Sequence, residues 1–254
     1  MRGSLLQGRN ALVTGSSRGI GASIAKLFAD HGAAVVVHGR DVDAVTAVTA
    51  RIERAGGRAI AAVADLTSAE EVEAMKATVE ERLGPLDILV ANAGGSQLPP
   101  SPLETISEAG WRASIDGNLT ATFLTIKAFL PGMKERRRGS VITMSSAAAR
   151  RPTGQSPIAY AAAKAGIEVM TKAIAVQAGP LGVRVNCIAP ETILTERNQA
   201  PIPEPVQEQL RQAHPIKRLG TPEDVAQTAL FLASEDSGWI SGITLDVAGG
   251  SVLV

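Results

Sequence analysis

The 254 residues carry 25 Lys plus Arg against 25 Asp plus Glu, a neutral balance that gives no reason to expect nucleic acid or an anionic membrane surface as a partner. With 45% hydrophobic residues and no linker-like stretch, the chain suits one substantial α/β domain, 1–254, better than two small ones. Cys187 is the single cysteine, which excludes an internal disulfide framework, His31, His38 and His214 lack ligand spacing, and no run reaches the ~20 apolar residues of a membrane span.

Residues 1–8 show no secretory signal pattern, so a soluble cytoplasmic protein without a metal site is expected. The first apolar run, Ala11–Val13, reads as a strand, and an alanine-rich helix follows Gly21. Between them lies Thr14-Gly15-Ser16-Ser17-Arg18-Gly19-Ile20-Gly21. Glycines there let the backbone approach a pyrophosphate, and the helix N-terminus offers N–H groups and a partial positive charge. The spacing Gly-x-x-x-Gly-x-Gly differs from the commoner Gly-x-Gly-x-x-Gly. The expectation therefore rests on position between strand and helix, and a purely structural turn is the competing reading.

The next run, Ala33–Val37, is a second strand ending in Val37-His38-Gly39-Arg40-Asp41. An NAD site usually has an acidic side chain here for the ribose 2′-hydroxyl, whereas arginine accommodates a 2′-phosphate. Gly39 stands where the acid is expected, and Arg40 with Arg18 would bind a phosphate through charge-assisted bonds, so NADP(H) is expected ahead of NAD(H). Arg40 as an ordinary surface residue competes with that reading. Asp41 reads as the N-cap of the following helix.

Further runs at Ala59–Val63, Ile88–Ala91, Val141–Met144 and Val183–Ile188 read as strands separated by helical patterns. This alternation implies a doubly wound parallel sheet with helices on both faces, whose ligands bind beyond the carboxyl ends of the strands. Asp65 follows the third strand, Asn92-Ala93-Gly94 the fourth and Ser145-Ser146 the fifth, while Asn118 falls in a long helix. In Ile158-Ala-Tyr-Ala-Ala-Ala-Lys-Ala-Gly166, Tyr160 and Lys164 share a helical face. A fixed ammonium there favours the phenolate and lowers the phenol from its usual ~10, which suits general acid/base work. A solvated helix face is the alternative. The stretch at about 190–217, with Pro201, Pro203 and Pro205, cannot be one helix and reads as a lid or substrate loop.

Taken together and in this order, these pieces resemble the short-chain dehydrogenase/reductase family over nearly the whole chain, in particular its 3-oxoacyl-[acyl-carrier-protein] reductase-like members. The resemblance implies a single Rossmann-type domain with a seven-stranded, mostly parallel sheet. It implies an NADP(H)-dependent oxidoreductase acting on a ketone or secondary alcohol, with Ser146 holding the substrate oxygen and Tyr160 passing the proton. Lys164 would bind the nicotinamide ribose and Asn118 would anchor a proton-relay water. Cofactor contacts are implied for Gly15, Ser17, Arg18, Gly19, Ile20, Gly21, Arg40, Asp65, Leu66, Asn92, Ala93, Gly94, Tyr160 and Lys164. In the Asn186-Cys-Ile-Ala-Pro190 segment and beyond, Pro190, Ile193 and Thr195 would line the nicotinamide side. The segments Arg218–Ala226, Ser241-Gly242 and Asp246–Gly250 match closing elements of the fold, and a homotetramer or homodimer is implied.

The pattern departs from the family in three places. Glu191 stands where glycine is usual after the proline, and Ala91 replaces the first asparagine of Asn-Asn-Ala-Gly. The segment from Ser146 to Tyr160, containing Arg150, Arg151, Pro152 and Gln155, is one residue longer than expected, which leaves open whether Ser145 or Ser146 faces inward. Ser96, Leu98, Gln155 and Leu194 are placed on the substrate pocket by position alone. No serine hydrolase elbow, Gly-x-Ser-x-Gly, is read in the chain, so Ser146 is not taken as a nucleophile. Lys134-Glu-Arg-Arg-Arg138 offers a basic patch to an acidic acyl carrier protein, although Leu181 stands where a second basic residue is expected and cations at a helix C-terminus have a simpler role. Two competing functions are a non-catalytic NADP-sensing binding protein and an NAD-preferring alcohol or sugar dehydrogenase.

Overall fold

A strand covered on both faces needs apolar side chains pointing both ways, and β2 (Ala34–Gly39) is buried at every position. The computed structural model describes residues 4–196 and 202–253. Within them β2 joins β1 (Asn10–Val13), β3 (Arg58–Val63), β4 (Ile88–Ala91), β5 (Gly139–Met144), β6 (Val183–Pro190) and β7 (Thr244–Val247). The order is β3-β2-β1-β4-β5-β6-β7, and all six pairings are parallel. The doubly wound seven-stranded sheet expected from sequence is present. Several strands run a residue or two past their apolar stretches because the ladder continues, pairing Gly39 with Val63 and Pro190 with Val247.

The crossovers are α1 (Gly19–Asp30), α2 (Val42–Arg54), α3 (Ala69–Leu83), α4 (Glu108–Ile115), α5 (Ala121–Glu135), α6 (Ala147–Arg150) and α7 (Ile158–Ala178), followed by α8 (Glu204–Ala213) and α9 (Pro222–Ala233). Ile24 and Phe28 of α1 pack with Val225 and Ala229 of α9 on one sheet face. Val72 and Met75 of α3 and Ile126 and Phe129 of α5 cover the other. Asp41 caps α2 by accepting from the Ala44 amide at 3.1 Å, as the sequence indicated. Within the proline-rich stretch α8 begins after Pro203, with Pro205 in the first turn where its missing N–H is harmless. Pro201 and the rest of 197–201, part of the expected lid, lie outside the described residues.

The chain runs outward from β1 to β3 and then returns to β4 on the other side of β1. Crossovers therefore leave β1 and β4 in opposite directions, and a crevice forms at their carboxyl ends. Thr14 and Asn92 stand on its two sides.

The N-terminus of α9, which packs on α1, is closed by a capping box between Thr221 and Asp224. Asp224 also receives both Arg218 Nη atoms, at 2.6 and 2.7 Å. These bonds from Arg218, followed by those from Thr221, hold its carboxyl at about 2 against an ordinary 3.8. Because the folded value is depressed, this stabilisation is complete above pH 3.8 and is lost as pH falls through about 2. Arg218 is 55% exposed, so solvent screening reduces the contribution to about 1 kcal/mol. Urea unfolding at neutral pH should show Asp224→Asn less stable by about that amount, with a shallower acid limb; an unchanged midpoint would remove the carboxylate from this account.

Candidate active site

The crevice begins at the glycine loop. Arg18 occupies the N-cap of α1 in extended conformation, and its side chain makes no cap to the first helical N–H groups. A Cβ built on Gly21 would lie 2.4 Å from the Gly15 carbonyl oxygen and 2.7 Å from Asn92 Nδ2, a gap that glycine alone leaves open. Gly15 itself has φ +63° and sits against Ala93. Asn92 Nδ2 donates to the carbonyls of Thr14, at 2.9 Å, and Gly15, at 3.2 Å, while the Ala93 amide donates to Thr14 Oγ1 at 3.0 Å. Asn92 and Ala93 thus brace the loop. Uncapped helix N–H groups beside closely approachable backbone fit the diphosphate of a dinucleotide.

At the adenosine end of such a ligand, Arg18 is paired with Asp41 at 3.3 Å, and both are more than half exposed. Arg40 is exposed, and its charge helps to lower the Asp65 carboxyl, after the larger effect of hydrogen bonds from Thr67. Leu66 is buried in the core cluster under α3 and α5, so its side chain faces away from the crevice. Ile20 likewise packs on the core of the α1 face. Thr195 lies over Gly19, within 3.4 Å of where a Cβ would stand. Ile193 is 5% exposed and bridges to Gly220, and Pro190 ends β6 in the buried sheet.

The second half of the site gathers at the ends of β4 and β5. Lys164 is 3% exposed; its Nζ donates to the Met144 carbonyl at 2.8 Å and stands 5.5 Å from the Tyr160 ring centroid. Burial brings this ammonium down from 10.5 to about 8. The Tyr160 phenol moves up, opposite to the direction expected from an adjacent cation: burial raises it, and the hydrogen bond with Ser146 opposes that rise only in part. The cause is the phenol's own burial, which disfavours the charged phenolate. Ser146 faces Tyr160 and caps α6 through the Ala148 amide at 3.2 Å. Ser145 is turned away, donating to Glu168 Oε1 at 2.6 Å, which answers the choice between the two serines.

Asn118 is completely buried in a π-helical segment, Asp116–Thr120, between α4 and α5, and so not in one regular helix. Its Oδ1 accepts from the Gly95 amide at 2.9 Å, and its Nδ2 donates to the carbonyls of Gly95 and Ser114 at 3.1 and 2.8 Å. The side-chain amide is committed to protein groups. Gly94, at φ +148°, lies between Asn118 and Lys164, 2.5 Å and 3.3 Å from a hypothetical Cβ. Of the residues placed on the pocket by position, Ser96 spends its hydroxyl on the Leu98 carbonyl at 2.6 Å, Leu98 packs at Gly110, Gln155 is exposed and Leu194 is half-buried.

Several contacts were invisible as motifs. Arg150 bonds Asp246 through Nε and Nη2, at 3.1 and 3.2 Å, and Glu168 through Nη1 at 3.2 Å, joining α6, α7 and β7. Glu191 meets the buried His214, whose Nδ1 lies 2.6 Å from the Leu210 carbonyl, so the departure from glycine tethers α8 to the end of β6. Gly15-Ser16-Ser17-Arg18-Gly19 does have the Gly-x-Ser-x-Gly spacing of a hydrolase elbow. No histidine serves Ser17, however: both ring nitrogens of nearby His38 are engaged, with the Gly15 amide and the Ala64 carbonyl. The basic run ending at Arg138 sits before β5, at the opposite end of that six-residue strand from Ser146, roughly 20 Å away. There Arg136 and Arg137 bind the carbonyls of Leu86 and Pro180, and Arg138 pairs with Asp87. A cavity of about 430 Å³ between Glu191, His214 and Val247, and one of about 530 Å³ near Arg184 and Trp239, are not lined by Tyr160, so the hydrogen-bonded constellation and not cavity volume locates the chemistry.

A family model described as enoyl-(acyl carrier protein) reductase matches residues 15–251. The chain is 40% identical over 248 residues to (2S)-[(R)-hydroxy(phenyl)methyl]succinyl-CoA dehydrogenase subunit BbsD of Thauera aromatica, covering 98% of each. It is 37% identical over 247 residues to 7alpha-hydroxysteroid dehydrogenase of Escherichia coli (strain K12), covering 97% of this chain and 95% of that one. A 3-oxoacyl-[acyl-carrier protein] reductase from Brucella melitensis, solved with bound NAD, superposes with a TM-score of 0.92 at 34% identity, covering 99% of this chain and 94% of that one. With these matches spanning the cradle and the tyrosine site alike, the chain belongs to the short-chain dehydrogenase/reductase family, oxidoreductases of alcohols and ketones that use a nicotinamide cofactor.

Proposed function

We propose that the protein is an NADP(H)-dependent oxidoreductase interconverting a ketone and a secondary alcohol, with Tyr160 as the proton-transferring group. The observation that carries this reading is the Tyr160 phenol, hydrogen-bonded to Ser146 with the buried ammonium of Lys164 behind it. The α1 N-terminus and Gly15–Gly21 would hold the diphosphate, Arg40 and Arg18 a 2′-phosphate, and Asp65 with the Leu66 backbone the adenine side. Asn92, Ala93, Gly94, Tyr160 and Lys164 would line the central part, and Pro190, Ile193 and Thr195 the far end. When bound, the cofactor supplies the hydride that adds to the carbonyl carbon.

Negative charge then grows on the substrate oxygen. Ser146 and Tyr160 place hydroxyl donors where that charge develops, which stabilises the transition state above the ground state. A phenol raised by burial is protonated at neutral pH and has a proton to give. Lys164 stabilises the phenolate left behind. Asn118, its amide committed, acts by locking Gly94 and Gly95 beside Lys164.

The names of two relatives support a thioester-borne carbonyl compound as substrate, one carried on coenzyme A and one on acyl carrier protein. The position of Lys134–Arg138 at the other end of β5 from Ser146 weighs against that run as a docking patch beside the site. Exposed Phe123, Val169 and Val176 on α5 and α7 are consistent with burial between copies in a homotetramer or homodimer. NAD(H) preference is the second reading, favoured by the Arg18–Asp41 pair, in which a carboxylate already engages one of the two guanidiniums a 2′-phosphate would need.

A panel of ketones and 3-oxoacyl thioesters, assayed with NADPH and NADH, tests the function. Tyr160→Phe should lower kcat/KM by about 10³-fold with nucleotide binding kept; retained turnover would sink the assigned mechanism. The kcat/KM profile should fall above pH 8 as Lys164 loses its proton, and Lys164→Arg should move that limb upward. Arg40→Asp should weaken NADPH binding about 10-fold or more while leaving NADH nearly unchanged, and equal effects on both would favour the second reading.

A further inference from the structure

We propose that His38 is a positioning residue for the cofactor cradle: its neutral imidazole, fixed in one tautomer, spaces the glycine loop from the ends of β2 and β3. The inference rests on reading Thr14–Gly21 as a nucleotide cradle. His38 is the last residue but one of β2 and is 2% exposed. Its Nδ1 lies 3.1 Å from the Gly15 amide nitrogen, and its Nε2 lies 3.2 Å from the Ala64 carbonyl oxygen. An amide N–H only donates and a carbonyl only accepts, so Nδ1 must present its lone pair and Nε2 must carry the hydrogen. An imidazolium would turn an N–H toward an N–H at Gly15 and break the brace.

The main chain of the same residue is held as well. The His38 amide donates to Ser16 Oγ at 2.9 Å, Ser16 Oγ donates to the Val13 carbonyl at 2.6 Å, and the Ser16 amide donates to the His38 carbonyl at 2.8 Å. One side chain thus links three segments that converge on the adenosine end of the crevice. These are the loop at Gly15, the Gly39-Arg40-Asp41 turn that follows it in sequence, and the Ala64-Asp65 turn. Among charged groups, Asp65 acts on the ring in the direction of protonation, but burial dominates and brings His38 from 6.5 to about 4. The ring therefore stays neutral through the physiological range.

This predicts an effect on nucleotide affinity more than on turnover. His38→Leu keeps the bulk and removes both bonds; it should weaken NADPH and NADH binding together by about 10-fold, read by nucleotide fluorescence without substrate. His38→Asn keeps an acceptor near Gly15 and should recover part of that loss, with kcat at saturating cofactor within about 3-fold of wild type. Nitrogen-15 NMR of histidine-labelled protein, assigned by the loss of signal in His38→Asn, should show a neutral ring with hydrogen on Nε2, unchanged between pH ~7.5 and ~5.5. Full affinity in His38→Leu, or a ring titrating near pH ~6.5, overturns the proposal. Should His38→Leu not fold, the asparagine variant and the spectrum decide it. Wild-type protein that binds neither nucleotide would instead refute the cradle reading, and the spectrum would still test the tautomer.

Discussion

Keeping the ammonium of Lys164 inside the protein is the constraint around which the carboxyl ends of β4 and β5 are organised. A buried charge needs a polar partner, and Lys164 finds one in the carbonyl of Met144, the last residue of β5. That bond pins α7 to the sheet and thereby places Tyr160, one helical turn earlier, over the same strand end. The space beside the ammonium must stay narrow yet open, and Gly94 keeps it so, since a Cβ there would crowd both Lys164 and Asn118. Asn118 in turn is fixed by Gly95 and Ser114. The same burial acts on both titrating groups, bringing the ammonium down to about 8 and the phenol up.

Parallel topology does the rest of the sorting. Every strand delivers its carboxyl end to the same edge of the sheet, so Thr14, Asn92 and Ser146, distant in sequence, meet there without any long-range signal being written into the chain. The amino edge collects a different population. Arg136, Arg137, Arg138 and Arg184 bond backbone carbonyls and a carboxylate of neighbouring turns, a structural duty for these cations.

What could be read in advance followed local chemistry. Strands rich in valine, isoleucine and alanine announced themselves, and Asp41 declared a cap by its type and place. The meeting of Ser146, Tyr160 and Lys164 was also legible, through their order along a recognisable pattern. Direction of the phenol shift was not, because it depends on how deeply the Tyr160 ring itself is buried, which has no sequence signature. The π-helical turn at Asn118 is five residues of ordinary composition. Partners far apart were equally hidden: Glu191 meets a histidine 23 residues on, and Arg150 meets an aspartate 96 residues on. His38 looked like one of three scattered histidines until the strands brought Gly15 and Ala64 to either side of its ring.

Arg150 gives the last strand a part in the site. β7 is half-buried at all four positions, and the guanidinium fastens its Asp246 to Glu168 on the helix of Tyr160, while the same residue closes the short helix that Ser146 begins. A change at Asp246 in the carboxyl-terminal strand is therefore transmitted to the helices of Ser146 and Tyr160 through two ionic contacts held by one guanidinium.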